Sequence, residues 1–180
     1  SKYKSGEKIT VVASARGNST DELESILQNA ASKTEYKSKF SAFKKYQQEP
    51  NNQVDFSKEF LKLETIFEGV SLLGDKDEVL AQGELLSVKL VASFLEKESV
   101  SANSVDSRSL IITDENFGNA QPITEVSKEN VISHFKENSN KINVVSGFIA
   151  SNKKGETTTL GRNGSNYTAA LLANYLDADE

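Results

Sequence analysis

The stretch Gly147-Phe148-Ile149-Ala150-Ser151-Asn152-Lys153-Lys154-Gly155-Glu156-Thr157-Thr158-Thr159-Leu160-Gly161-Arg162-Asn163-Gly164-Ser165 reads as a β-hairpin that runs into an arginine loop. Residues 149–151 and 157–160 flank a turn at 152–155, where Gly155 is available for a positive φ. Lys153 and Lys154 form a solvated tip. Residues 142–146, just upstream, are an apolar run that predicts a buried strand. Downstream, an alanine- and leucine-rich segment predicts a helix over about 168–176. A glycine-flanked arginine therefore stands just before a helix start. That start offers unpaired N–H groups and a partial positive charge, and Arg162 adds a planar fork suited to a carboxylate. Together they would make an anion site. A plain loop capped by Ser165 or Asn166 fits the same spacing.

The amino-terminal part predicts the opening of an α/β unit. Residues 9–13 read as a short buried strand, 14–21 as a polar loop, and Leu23, Ile26, Leu27 and Ala30 recur at helical spacing. Thr20 or Asp21 is the expected cap. In open α/β sheets ligands bind at the carboxyl ends of strands, where this hydroxyl-rich loop lies; ordinary caps and turns use the same residues. Helices are predicted over 36–46, 54–73 and 79–95, with a Pro50-containing linker over 47–53 and Gly74 as a C-cap. The third of these is nearly all apolar from Leu85 to Phe94, which predicts burial on all sides. Gln82-Gly83-Glu84 interrupts it. A carboxylate there needs a cation, and either a substrate ammonium or a lysine of the fold would serve. Strands are predicted over 100–105 and 110–113, a loop over 114–122, and an amphipathic helix over 126–135 with His134 at its edge.

Composition excludes several chemistries. The chain has 180 residues, enough for one domain with a real core. It has no cysteine and one histidine, so disulfides, thiolate catalysis, a His-rich metal site and a Ser-His-Asp relay are not expected. A net charge of -5 argues against nucleic acid or an acidic membrane surface as partner. No apolar run approaches the ~20 residues that span a bilayer, and no signal-like segment opens the chain, so the expected location is the cytoplasm. The absence of methionine and the abrupt ends suggest an excised piece.

The segment 147–165 resembles the signature of aspartate kinases (aspartokinases). Three other stretches agree in order and spacing: Ser14-Ala15 followed by Thr20-Asp21, Gln82-Gly83-Glu84-Leu85-Leu86-Ser87, and Val105-Asp106-Ser107-Arg108. Residues 69–74 and 116–120 resemble the bifunctional aspartokinase–homoserine dehydrogenases, which is consistent with a fused dehydrogenase downstream. The resemblance covers essentially the whole chain.

It implies the α/β amino-acid kinase fold, a mainly parallel sheet sandwiched by helices, with residues 1–180 as a partial kinase domain. The opening strand, with its lysine, and the ATP-binding half are expected to lie outside the chain. The implied reaction transfers the ATP γ-phosphoryl group to the side-chain carboxylate of L-aspartate, the first step toward lysine, threonine, methionine and isoleucine. The whole enzyme would use ATP and Mg2+ and form a homo-oligomer. The piece alone is expected to hold neither cofactor and to be inactive. Carried over, Arg162 would grip a substrate carboxylate and Glu84 would face the ammonium. Ser14, Thr20 and Ser165 would add hydroxyl or backbone contacts, and Phe148 would wall the pocket. Asn166 stands where the family usually has a catalytic aspartate, and an amide supplies no negative charge. Two other readings remain: a kinase for a related acidic amino acid such as glutamate, and a non-catalytic amino-acid-binding or assembly domain.

Overall fold

A computed structural model describes residues 8–69, 76–138 and 142–179. Its centre is a parallel sheet of β1 (Thr10–Ala13), β2 (Ala102–Val105) and β4 (Ile142–Ser146), in the order β1-β4-β2. β4 is buried along its whole length, as its apolar run requires. Side chains alternate across the pleat. Val12, Val145 and Val105 stand side by side in register and pack toward Val131, Leu172 and Tyr175. Ala102, Ile142 and Val144 point the other way, onto Val88 and Ala92.

Those last two belong to α4 (Lys76–Lys97), the central helix. The sheet covers one side of it. On the other lie α1 (Ser19–Ala31), α2 (Lys37–Gln48) and α3 (Ser57–Glu68). Leu23, Phe40, Phe43, Phe56, Leu63 and Phe67 from these helices meet Val79, Leu80, Leu86 and Leu90 of α4 in one cluster. Coverage on both sides is why α4 is apolar around its circumference. Several expected boundaries move. α3 begins at Ser57 and ends at Glu68 with Gly69 as its C-cap, and the expected stop at Gly74 lies outside the described residues. α1 begins at Ser19, ahead of the expected caps Thr20 and Asp21. Both the N–H and the hydroxyl of Ser19 donate to the carbonyl of Arg16, at 3.1 and 2.5 Å.

A second sheet, β3-β5-β6, abuts the first. β3 (Ile112–Thr113) runs parallel to β5 (Ile149–Asn152), and β5 pairs antiparallel with β6 (Thr157–Thr159). This is the expected hairpin, with Gly155 at φ +80° in its turn. α5 (Thr124–Glu137) and α6 (Gly164–Leu176) close the far face. His134 sits half-buried at the edge of α5, its ring edge-on to Phe135 at 5.2 Å. α6 starts earlier than the predicted position 168. Asn163 adopts the left-handed conformation at φ 60° and delivers the chain to Gly164 already in helical register. Ser165 and Asn166 therefore lie inside the first turn and cap nothing.

Candidate functional site

The carboxyl ends of β1 and β4 meet at Ala13, whose carbonyl accepts the N–H of Gly147 at 2.9 Å. Beyond this bond the chain from β4 turns sharply into β5 against the start of α6. A methyl group on Gly147 would come 2.5 Å from Cβ of Ser165 and 2.8 Å from its Cα. One on Gly164 would come 2.6 Å from Cδ2 of Phe148. Both glycines are needed for backbone to approach backbone here. Phe148 itself sits at φ 69°, a conformation rare for an aromatic residue. Its N–H donates to Oγ1 of Thr168 at 3.1 Å, and the Thr168 hydroxyl donates to the carbonyl of Gly164 at 3.0 Å. Tertiary bonds thus hold a strained residue at the expected pocket wall. The ring of Phe148 packs on Ala81, Leu85 and Ile149.

Ala81 and Leu85 flank Glu84 on α4. Glu84 is only 3% exposed. It accepts the backbone N–H of Ala15, and its second oxygen has no hydrogen-bond partner. Burial pushes its carboxyl up to about 8, against the smaller lowering effect of the Ala15 N–H. Among the described residues no cationic side chain bonds to Glu84, and Lys89 on the same helix pairs with Glu59, at 2.7 Å. A buried acid with one idle oxygen is a place for a cation brought by something else.

The Ser14–Ser19 loop reaches Glu84 because Gly83 precedes it. A methyl at Gly83 would touch Ala15 at 3.4 Å and Leu23 at 3.2 Å. The loop is braced from behind by α2. The Arg16 guanidinium lies 3.8 Å over the Tyr46 ring and donates to the Tyr46 carbonyl. Buried Gln47 donates to Oγ of Ser19 at 2.5 Å. Ser14 is exposed and Thr20 half-buried in the first turn of α1. Arg162 and Asn166 are exposed and Ser165 is half-buried. So the fold gathers Ser14, Glu84, Phe148 and Ser165 about the ends of β1 and β4. Arg162 stands two positions before Gly164, with its guanidinium unbonded among the described residues.

A cavity of about 520 Å3 lies elsewhere, between α3, α4 and β2, and its lining includes neither Glu84 nor Arg162. Its arginine is already paired: Arg108 bonds Asp106 at 2.6 Å and Glu78 at 3.2 Å. Two residues that brace these segments escaped the sequence reading. Thr168 gave no signal beyond a helical threonine. Asp77 did give one, an acid opening an apolar helix, and it proves to be buried.

The amino acid kinase family model matches residues 1–180. The chain belongs to the amino acid kinase family. Lysine-sensitive aspartokinase 3 of Escherichia coli is 34% identical over 131 residues, covering 65% of this chain and 28% of that protein. The bifunctional aspartokinase/homoserine dehydrogenase of Buchnera aphidicola is 32% identical over 138 residues, covering 72% of this chain and 17% of that protein. The chain thus spans less than a third of either relative. The structure of E. coli aspartokinase III in complex with aspartate and ADP superposes with a TM-score of 0.86 at 30% identity, over 96% of this chain and 41% of that one. The aspartate kinase of Clostridium acetobutylicum shares the fold at a TM-score of 0.78 and 21% identity, over 97% of this chain and 40% of that one. The amino acid kinase fold expected from the resemblance is the fold observed.

Proposed function

We propose that this amino acid kinase chain supplies the amino-acid-binding part of an aspartate kinase, which transfers the γ-phosphoryl group of ATP to the side-chain carboxylate of L-aspartate. The observation that carries this reading is Glu84, buried and short of one partner, at the carboxyl ends of parallel strands. An α-ammonium group is a cation of the right size for that oxygen. In this reading Arg162 and the start of α6 take a carboxylate of the same ligand. The main-chain and hydroxyl groups of Ser14, Thr20 and Ser165 line the space between, and the Phe148 ring excludes water. Asn166, in the first turn of α6, would take the place of the catalytic aspartate usual in aspartate kinases. Phosphoryl transfer depends mainly on positioning and on neutralising charge. ATP would bring the transferred group, with Mg2+ neutralising its charge. Among the described residues no group of three or more His, Asp and Glu side chains is arranged to hold a metal ion.

Calorimetry with L-aspartate and L-glutamate on this chain, and a phosphorylation assay on the full-length protein, test the reading. The expected result is preferential binding of L-aspartate and its phosphorylation. Phosphorylation of glutamate alone would overturn it. One observation favours a second reading, in which the site binds an amino acid without turnover: Asn166 supplies no negative charge. Binding of aspartate by the full-length protein without product would establish that reading.

A further inference from the structure

The structure assigns a positioning role to Asp77: its carboxylate holds the strand that leads to Arg162 at a set place relative to Glu84. Asp77 lies in the first turn of α4 and is 5% exposed. One oxygen, Oδ2, accepts two main-chain bonds, from the N–H of Thr159 at 2.9 Å and from the N–H of Gly118 at 2.8 Å. Thr159 ends β6 and is followed at once by Leu160, Gly161 and Arg162. Gly118 belongs to the loop between β3 and α5, and the two acceptances tie that loop and the arginine strand to the same atom.

The loop and the strand are also tied to each other. The N–H of Ala120 donates to the carbonyl of Thr159 at 2.9 Å. Asn119 lies against Gly161 so closely that a methyl group there would overlap its Oδ1. Gly161 sits at φ +74°, which a side chain rarely adopts, so the approach to Arg162 is fixed by backbone and by contact together. Glu84 lies on the same helix about two turns beyond Asp77. A helix is stiff over that length. Asp77 and Glu84 therefore act as two marks on one ruler: one takes the arginine loop, the other the ligand cation. Neighbouring Glu78 accepts the hydroxyl of Thr157, two residues earlier on β6, and pairs with Arg108, so only Asp77 takes the main-chain N–H of Thr159 itself. Asp77 touches no part of the proposed ligand position and acts only through Arg162.

This inference rests on the aspartate pocket proposed above, and its test separates the two. L-aspartate and L-glutamate are titrated into the chain and into Asp77→Ala and Asp77→Asn variants. Thermal unfolding and amide hydrogen exchange are followed in parallel. Asp77→Ala is expected to weaken L-aspartate binding about tenfold or more in fully folded protein and to narrow the preference over L-glutamate, because the spacing of the two charges selects ligand length. Asp77→Asn keeps an oxygen acceptor and should restore both to near wild type. Exchange at residues 161–164 should rise about tenfold in Asp77→Ala while that of β4 stays unchanged. A lower melting temperature with unchanged affinity, preference and exchange would overturn the assignment. Should wild type bind neither amino acid, the pocket reading fails and exchange at 161–164 alone decides for or against Asp77. If Asp77→Ala does not fold, Asp77→Ser takes its place under the same criteria.

Discussion

The main-chain N–H of Ala15 bonds the buried carboxyl of Glu84, and the other oxygen of that carboxyl faces no partner. A loop residue from the first strand and an acid from the central helix thus share one polar spot in an otherwise apolar contact. Burial in that contact is what pushes the carboxyl up to about 8, against the smaller lowering effect of the Ala15 N–H. It also makes the site's charge state responsive to a ligand.

Binding of L-aspartate should release protons. Near pH 7 the empty site holds Glu84 protonated, and an ammonium group beside it favours the carboxylate. About one proton per ligand should leave at pH 7. Calorimetry in buffers of different ionisation enthalpy measures this. Glu84→Gln should lose both the proton release and most of the affinity. Equal heats in all buffers for wild type would remove Glu84 from the ligand's environment.

Stability should fall with rising pH on account of the same group. Its folded value, about 8, lies above the ordinary glutamate value of 4.5, so between these the folded state holds more protons than the unfolded one. The stability it contributes is fully present below the lower value and is lost as pH rises through the upper one, with a limiting slope of about 1.4 kcal/mol per pH unit. Urea melts from pH 5 to pH 9 should show a shallower decline for Glu84→Gln than for wild type. Parallel curves would contradict the assignment.

Arg162→Ala should separate binding from stability. The side chain is exposed and bonds nothing among the described residues, so unfolding should change by no more than about 0.5 kcal/mol. Aspartate affinity should drop by roughly 2–5 kcal/mol, the scale for removing one partner of a ligand charge. Unchanged affinity would place the ligand carboxylate elsewhere.

Gly164→Ala should damage both fold and site. The added methyl would meet the ring and backbone of Phe148 at 2.6 and 3.0 Å, and backbone cannot yield as a flexible side chain can. A cost of about 1–3 kcal/mol is expected, with weaker aspartate binding. Gly155→Ala is the control. It has open space around it, and its φ of +80° should cost about 1 kcal/mol without touching affinity. Equal binding losses in the two variants would deny Gly164 a local role.

Asn166→Asp tests whether the amide limits chemistry. In the full-length protein the variant should raise phosphorylation of aspartate while changing aspartate affinity little. A fall in turnover would show that this chain has adapted its site to the amide.

Element identity was largely legible because it depends on local chemistry. The run 142–146, the hairpin with Gly155 and the helical spacing of Leu23, Ile26, Leu27 and Ala30 each announce their element from side-chain period and turn residues alone. Boundaries were less legible where tertiary bonds set them. The serine at 19 starts α1 because Arg16 and Gln47 bind its hydroxyl. The left-handed Asn163, not a capping side chain, starts α6.

From the order of residues alone came the α/β class, the apolar central helix and a short roster of polar residues suited to an acidic amino acid. Burial of Glu84, the strained turn at Phe148 and the double acceptance by Asp77 arose only in three dimensions. Each depends on groups far apart in the chain, and neither desolvation nor a long-range hydrogen bond leaves any mark on local periodicity.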